Sequence, residues 1–397
     1  MVPLKLYYDY RDILNAPRIA LSGKKISIFI IGNLIGFISY WTLTYFSFSI
    51  SEYSFYETLN TYGLYPCLFG HTASWISWSI YFFGISIWIS FLFLASTAVS
   101  RTTLNQLKGD NFFSISDAWK YSLKYWKSII LTPLTIFFII ILFLLIAIFF
   151  SLISSISIIG PVIYSLLFPL YFFGSIFTIY TFIVLINSLL FTPSIVATYE
   201  EDIMGTIFQS YSISWSQPWR IILYGLTLFI LMILGLEIFS WFCINAYNLI
   251  FFIFKYAMGD SLIKITNFSS NIISSNFLFE NIFKYHSKVI NPLSNYYFNL
   301  NDTFNNSSYS TSESISLIET FSSVILSVFL FIIALSLISY SLSIFSVGQT
   351  ITFIIFKKLT DDDELLKRLK NDELKKEDDY FNFDEKEENN NTKNQKS

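Results

Sequence analysis

The chain has 397 residues, 54% of them hydrophobic and 20% aromatic, with only 13% charged and a net charge of −3. A soluble domain carries about 25% charged residues, and the mean hydropathy here is +0.55. These values exclude a soluble enzyme, a nucleic-acid binder and a disordered chain, and describe a polytopic membrane protein.

Charge is segregated along the chain. Residues Lys357–Ser397 hold 10 basic and 13 acidic residues, leaving 15 of each sign for the 356 positions before them. Three regions follow: an N-terminal interfacial segment (1–25), a six-span domain (26–356) and a charged tail (357–397).

A helix crosses about 30 Å of hydrocarbon with roughly 20 apolar residues. The runs long enough are Ile26–Phe48, Ala73–Ala98, Ile129–Ile156, Val162–Asn187, Ile221–Ile244 and Val324–Phe345. The last either continues towards Phe356 or breaks near Gly348, and the fifth has the same ambiguity towards Phe254. Long unbroken runs without alternation exclude a transmembrane β-barrel.

In chain order, the segment before the first span carries Lys5, Arg11, Arg18, Lys24 and Lys25, with Tyr7, Tyr10 and Leu14 ahead of a turn at Pro17. Within the first span, Gly32 and Gly36 form a GxxxG pair that permits close helix approach. The connection between the second and third spans holds Arg101, Lys108, Lys120, Lys124 and Lys127. There Ser114 and Asp117 have capping-box spacing and mark a helix start. Ile115, Trp119, Ser122 and Trp126 then share one face, with the lysines roughly opposite.

The connection between the fourth and fifth spans repeats this design. Met204, Phe208, Tyr211 and Trp215 fall on one face, and Gly205, Ser212 and Ser216 point away. Basic aromatic-edged helices of this kind lie in the headgroup plane and attract anionic lipid, unless the apolar face packs on the bundle instead. The expected interfacial helices are 114–128 and 203–217, and their expected membrane-interface residues are Trp119, Lys120, Lys124, Trp126, Lys127, Trp215, Trp219 and Arg220.

Beyond the fifth span, residues 258–323 form an external segment rich in Asn, Ser, Phe and Tyr, in which Phe277–Ile290 reads as a helix. Asn-X-Ser/Thr triplets stand at Asn267, Asn301, Asn305 and Asn306. The tail is expected to open with a short helix capped by Thr360. Placing basic loops inside puts 21 of the 25 Lys and Arg on one face and only Lys255, Lys264, Lys284 and Lys288 on the other. Both termini are then cytoplasmic.

Few residues offer chemistry. Glu237 is the only acidic residue well inside a span, a substrate or ion candidate by its cost there, or else a protonated structural group. Cys67 and Cys243 both fall near the outer face, where they form one disulfide or remain two buried thiols. His71 and His286 are the only histidines and imply no metal. Neither HExxH, GxSxG, CxxC nor GxGxxG occurs, so no cofactor and no enzyme are implied.

Two stretches carry a resemblance. One runs Thr192-Pro193-Ser194-Ile195, Asp202, Ile207-Phe208-Gln209-Ser210-Tyr211-Ser212, Gln217-Pro218-Trp219-Arg220 and Tyr224. The other is Gly109-Asp110 followed by Asp117-Ala118-Trp119-Lys120-Tyr121. Together they resemble a family of uncharacterised bacterial polytopic membrane proteins. In that family's pattern a small Ala is usual where Thr206 stands here. The resemblance implies a bacterial inner membrane and assigns no activity and no functional residue.

The reading is an all-α integral membrane protein with six transmembrane helices and amphipathic interfacial helices before the first, third and fifth spans. Its expected function is a non-enzymatic scaffold or accessory component, with the tail available to a soluble cytoplasmic partner. The alternative is a transporter of an apolar or lipid-like substrate.

Overall fold

The computed structural model describes residues 6–51, 53–110, 112–155, 160–274 and 316–361. Among them there are helices and no strands: α1 (Tyr10–Leu14), α2 (Ala16–Ala20), α3 (Gly23–Ile50), α4 (Phe55–Tyr62), α5 (Trp75–Lys108), α6 (Ile115–Lys124), α7 (Trp126–Ser154), α8 (Gly160–Tyr199), α9 (Ile203–Ser216), α10 (Pro218–Met258), α11 (Asp260–Ser274) and α12 (Leu317–Asp361). Six are long and apolar enough to cross a membrane: α3, α5, α7, α8, α10 and α12. The expected helix at Phe277–Ile290, the triplets at Asn301, Asn305 and Asn306, and the tail after Asp361 lie outside the described residues.

The spans are longer than the apolar runs suggest. At 1.5 Å per residue, α8, α10 and α12 are about 60–67 Å long, twice the hydrocarbon thickness. Both open questions resolve towards continuity. Helix α10 runs unbroken to Met258 and α12 passes Gly348 to Asp361. Thr360 lies inside α12, where the cap of a new helix was expected, and the residues of that expected helix after Asp361 lie outside the described residues. At the other end of α12, Ser316 and Glu319 bond reciprocally (Glu319 N–H to Ser316 Oγ 3.2 Å, Ser316 N–H to Glu319 Oε2 2.9 Å). That capping box starts the helix well before Val324.

The chain divides into two compact units. The first comprises Met1–Phe29, Phe93–Ile233 and Leu342–Ser397. At its centre every residue of α12 from Ser346 to Lys357 is buried. A helix covered on all sides is usually hydrophobic all round, yet Ser346, Gln349, Thr350 and Thr352 are among the residues enclosed here. Ser346 and Thr350 have partners, whereas among the described residues Gln349 Oε1 and Thr352 Oγ1 have none. Ser346 Oγ donates to Ser96 O at 2.9 Å and pairs with the hydroxyls of Ser96 and Ser100 on α5. Thr350 bonds back to Ser346 O and meets Ser194 of α8 at 3.4 Å. Apolar packing encloses them: Phe353 and Phe356 join Phe191, Ile195, Ile213 and Ile221, and Ile354 joins Leu104 and Leu107.

Gly348 lets α10 approach this helix, since a Cβ there would stand 2.0 Å from Leu228 Cδ2. Overpacking of this kind costs about 1–3 kcal/mol. Gly348→Val is therefore expected to lower the thermal midpoint of the detergent-solubilised protein by several degrees. Leu228→Ala added to it is expected to recover part of the loss, because Leu228 is fully buried and the added methyls would occupy its space. Equal losses in the single and double variants would contradict this packing.

Also in the first unit, α7, α8 and α9 pack on one another, with Ile136, Val184 and Ile207 at the junction. Their seam is polar. Ser128 bonds Thr206 (3.1 Å) and Glu201 O (3.0 Å), Asn187 bonds Ser214 (2.8 Å), and Tyr211 bonds Thr181 (3.2 Å). Such interhelical bonds suit a bundle in lipid, where no water competes for the donors.

The second unit comprises Ile30–Leu92 and Leu234–Ser341. Its core is aromatic. Tyr45, Phe48, Leu68 and Tyr81 form the buried cluster, and the stretch 53–72 folds over the ends of α3 and α5. Tyr45 donates to Gly63 O at 2.6 Å, Tyr40 donates to Pro66 O, and Ser47 donates to Ser77 O at 2.8 Å. Gly36 of α3 seats Trp88 of α5. Between α10 and α12, Phe239 and Tyr340 meet edge to face at 5.1 Å.

Candidate membrane-interface site

The predicted interface residues fall into two groups of the first unit. In the first group, Ser114 caps α6, accepting from Asp117 N–H at 3.1 Å. The helix stops at Tyr125, so Trp126 and Lys127 belong to the first turn of α7. The expected single helix over 114–128 is thus two elements. Most of the expected face is packed: Ser122 is buried and Ile115 half-buried, while Trp126 is exposed. Ala118 is buried and Tyr121 and Tyr125 half-buried beside them. Tertiary bonding decides this, because Tyr121 donates to Val196 O at 2.7 Å and Tyr125 to Glu200 Oε2 at 3.1 Å. Trp119 is half-buried, with its indole nitrogen enclosed and unpartnered.

Lys120, Lys124 and Lys127 are exposed. Lys120 has Asp117 at 3.8 Å, a pairing between two well-exposed side chains that contributes little. Lys124 stands over the Tyr125 ring at 5.1 Å and Lys127 over Trp126 at 6.0 Å.

The second group lies on α9 and the start of α10. Asp202 caps α9 by accepting from Gly205 N–H at 3.0 Å. Its inward face is Thr206, Ile207, Ser210, Ile213 and Ser214. Its outward face carries Met204, Phe208 and Trp215, the last 78% exposed, and Trp219 follows at 77%. Thr206, Ser210 and Ser214 point in beside Ile207 and Ile213, while Met204, Phe208 and Trp215 point out beside Ser212 and Ser216, so three large apolar side chains lie on the face the protein does not cover. Arg220 donates to Gln217 at 2.7 Å, and Gln217 donates to Thr360 of α12 at 2.9 Å.

The link at 200–202 joins α8 to α9 and is pinned from three helices. Glu200 is left-handed (φ 56°), and its N–H closes on Val196 O at 3.1 Å. Arg101 of α5 donates to Ala197 O at 3.0 Å, reaches Glu200 Oε1 at 2.8 Å and covers the Tyr121 ring at 4.5 Å. Ala197 O, near the end of α8, is thereby satisfied by a cation, which also suits the negative end of the helix dipole. Burial pushes the Tyr121 phenol well above its usual pKa, so it donates as a neutral hydroxyl. No sequence motif announces this cluster. Arg101 reads only as one of the loop's basic residues until the long α5 carries it inside.

Glu237 sits about midway along α10, half-buried, on an open depression lined by Glu237, Ile238, Trp241 and Phe242 of that same helix. Ser240 Oγ donates to its backbone carbonyl at 3.0 Å. Cys67 and Cys243 are free thiols rather than a disulfide. Cys67 faces the Tyr81 hydroxyl at 3.8 Å, and both thiols are half-buried. His71 bonds the Tyr62 hydroxyl and is ringed by Phe48, Tyr53 and Tyr62 at 5.1–5.6 Å, a structural setting. His286 lies outside the described residues. Among the described residues no three His, Cys, Asp or Glu converge as metal ligands.

No protein-family model, curated protein or solved structure matches this chain.

Proposed function

We propose that this multi-pass membrane protein is a non-enzymatic scaffold or accessory component of a bacterial cytoplasmic membrane. Both termini are cytoplasmic in this reading, and α6 and α9 lie at the inner leaflet. The outward Met204, Phe208 and Trp215 of α9, set against its inward hydroxyls, carry the reading. Such a helix gains by placing its outer face at the acyl–headgroup boundary. Lys120, Lys124 and Lys127 then meet anionic headgroups, at roughly 1 kcal/mol per basic residue near such a surface.

Spin labels test the placement. With both native cysteines replaced by serine, labels at Phe208→Cys and Trp215→Cys are expected to be accessible to oxygen and shielded from a water-soluble relaxing agent. Labels at Ser212→Cys and Ser216→Cys should sit shallower. A water-accessible label at 208 would overturn the proposal. In mixed vesicles, Lys120, Lys124 and Lys127→Gln are each expected to reduce phosphatidylglycerol enrichment around the protein, by up to about fivefold per lysine. Native mass spectrometry of bound lipid reads this directly.

A further inference from the structure

The charged tail and the basic corner where α6 meets α7 complement each other. Beyond Asp361 the chain continues for 36 residues, with 13 acidic and 8 basic side chains among 361–397. Acidity is densest in Glu377–Glu388, Glu-Asp-Asp-Tyr-Phe-Asn-Phe-Asp-Glu-Lys-Glu-Glu, where seven carboxylates and three aromatic rings accompany one lysine. The corner offers the counterpart: exposed Lys120, Lys124 and Lys127 beside exposed Leu123 and Trp126. Among the described residues neither Lys124 nor Lys127 has a carboxylate partner; each lies over an aromatic ring instead.

The two also begin side by side. Lys357, four residues before the end of α12, stands over the Tyr199 ring at 5.6 Å. The next residue, Glu200, accepts from Tyr125, and Tyr125 separates Lys124 from Trp126. The root of the tail is thus one short relay from the corner. The 16 residues from Asp361 to Glu377 span up to about 55 Å when extended, ample for the return.

We propose that residues 377–388 dock on the Lys120–Lys127 corner of their own chain. Carboxylates meet the lysines, and Tyr380, Phe381 and Phe383 meet Leu123 and Trp126. The surface used is the one that would meet anionic headgroups, so tail and lipid compete for it. The docking rests on charge and connectivity alone and stands whether or not the headgroup reading holds.

The test uses the full chain in phosphatidylcholine nanodiscs, which present no competing anionic lipid. A zero-length carbodiimide joins carboxylates to lysines in contact, and an equal mixture of light and heavy-isotope chains separates intrachain from interchain links. Intrachain links from 377–388 to Lys120, Lys124 or Lys127 are expected at about 20 mM salt, falling at least fivefold at about 500 mM as screening sets in. Changing Asp378, Asp379, Asp384 and Glu385 to their amides should remove the same links while the thermal midpoint stays unchanged. Three results would overturn the proposal: no such links at low salt, links mainly between light and heavy chains, or links spread equally over all exposed lysines.

Discussion

Gly36→Val is expected to be among the most damaging single changes in this protein. A Cβ at Gly36 would lie 2.3 Å from Trp88 Cδ1 and 3.2 Å from the Trp88 backbone Cα. A side-chain end can rotate away, but the neighbouring backbone cannot, so α3 and α5 must separate. Their shared aromatic packing, Phe37 and Tyr40 against Trp88 at 6.0 and 5.5 Å, would be lost with the separation. A cost of about 3 kcal/mol or more follows, the upper end for overpacking. Gly174 supplies the control, because no atom lies within 4 Å of where its Cβ would be. Gly174→Ala should be neutral or slightly stabilising, since alanine is the better helix former by about 1 kcal/mol. Thermal unfolding of both variants in one detergent distinguishes close packing from general glycine intolerance. Equal effects would refute the seat assigned to Trp88.

Arg101→Ala is the second large loss expected, and its companion Glu200→Gly should be much milder. If the ion pair dominated, removing either partner would cost the same. The geometry points elsewhere. Arg101 also serves Ala197 O and covers Tyr121, and its side chain is 15% exposed against 42% for Glu200. Losing it strips a buried carbonyl of its donor and unstacks the ring, for about 2–3 kcal/mol. Losing the Glu200 carboxylate sacrifices a half-solvated contact, while glycine relieves the left-handed backbone at that position. The net change should be within about 1 kcal/mol. Arg101→Lys should resemble the alanine variant, because an ammonium lacks the planar fork that reaches two acceptors and stacks. Parallel chemical-denaturation curves measure the asymmetry, and equal losses would return the ion pair to first place.

The six spans were legible because a continuous apolar run of bilayer length is stable almost nowhere but in lipid. The span ends were not. The last apolar run could be read to stop at Phe345, to break near Gly348 or to reach Phe356, yet α12 continues to Asp361 with Ser346, Thr350 and Thr352 buried. Hydropathy counts polar atoms without knowing whether a neighbouring helix satisfies them. The helix starts at Ser114 and Asp202 were readable, because capping is local. The packing of Tyr121 and Tyr125 was not, because distant Val196 and Glu200 decided it. Three residues of the quoted pattern are packing residues, since Ser194 meets α12, Tyr211 meets α8 and Tyr224 stacks on Phe356 at 5.6 Å, whereas Phe208 and Trp219 are exposed. Glu237 drew attention through its rarity, whereas Arg101, which ties three helices together, looked ordinary.

The enclosed stretch Ser346–Lys357 comes last among the described helices of its unit, although it lies at the unit's centre. A ribosome makes the surrounding helices first and their middle afterwards. Until α12 emerges, Ser96, Ser100 and Ser194 lack their final partners, and Phe191 and Ile195 face a gap. The earlier helices therefore wait in the bilayer as an unfinished ring, open to insertion factors and membrane proteases. A chain stopped before Ser346 is expected to be cut faster by a membrane protease than the full chain, because α12 supplies the contacts that close this unit.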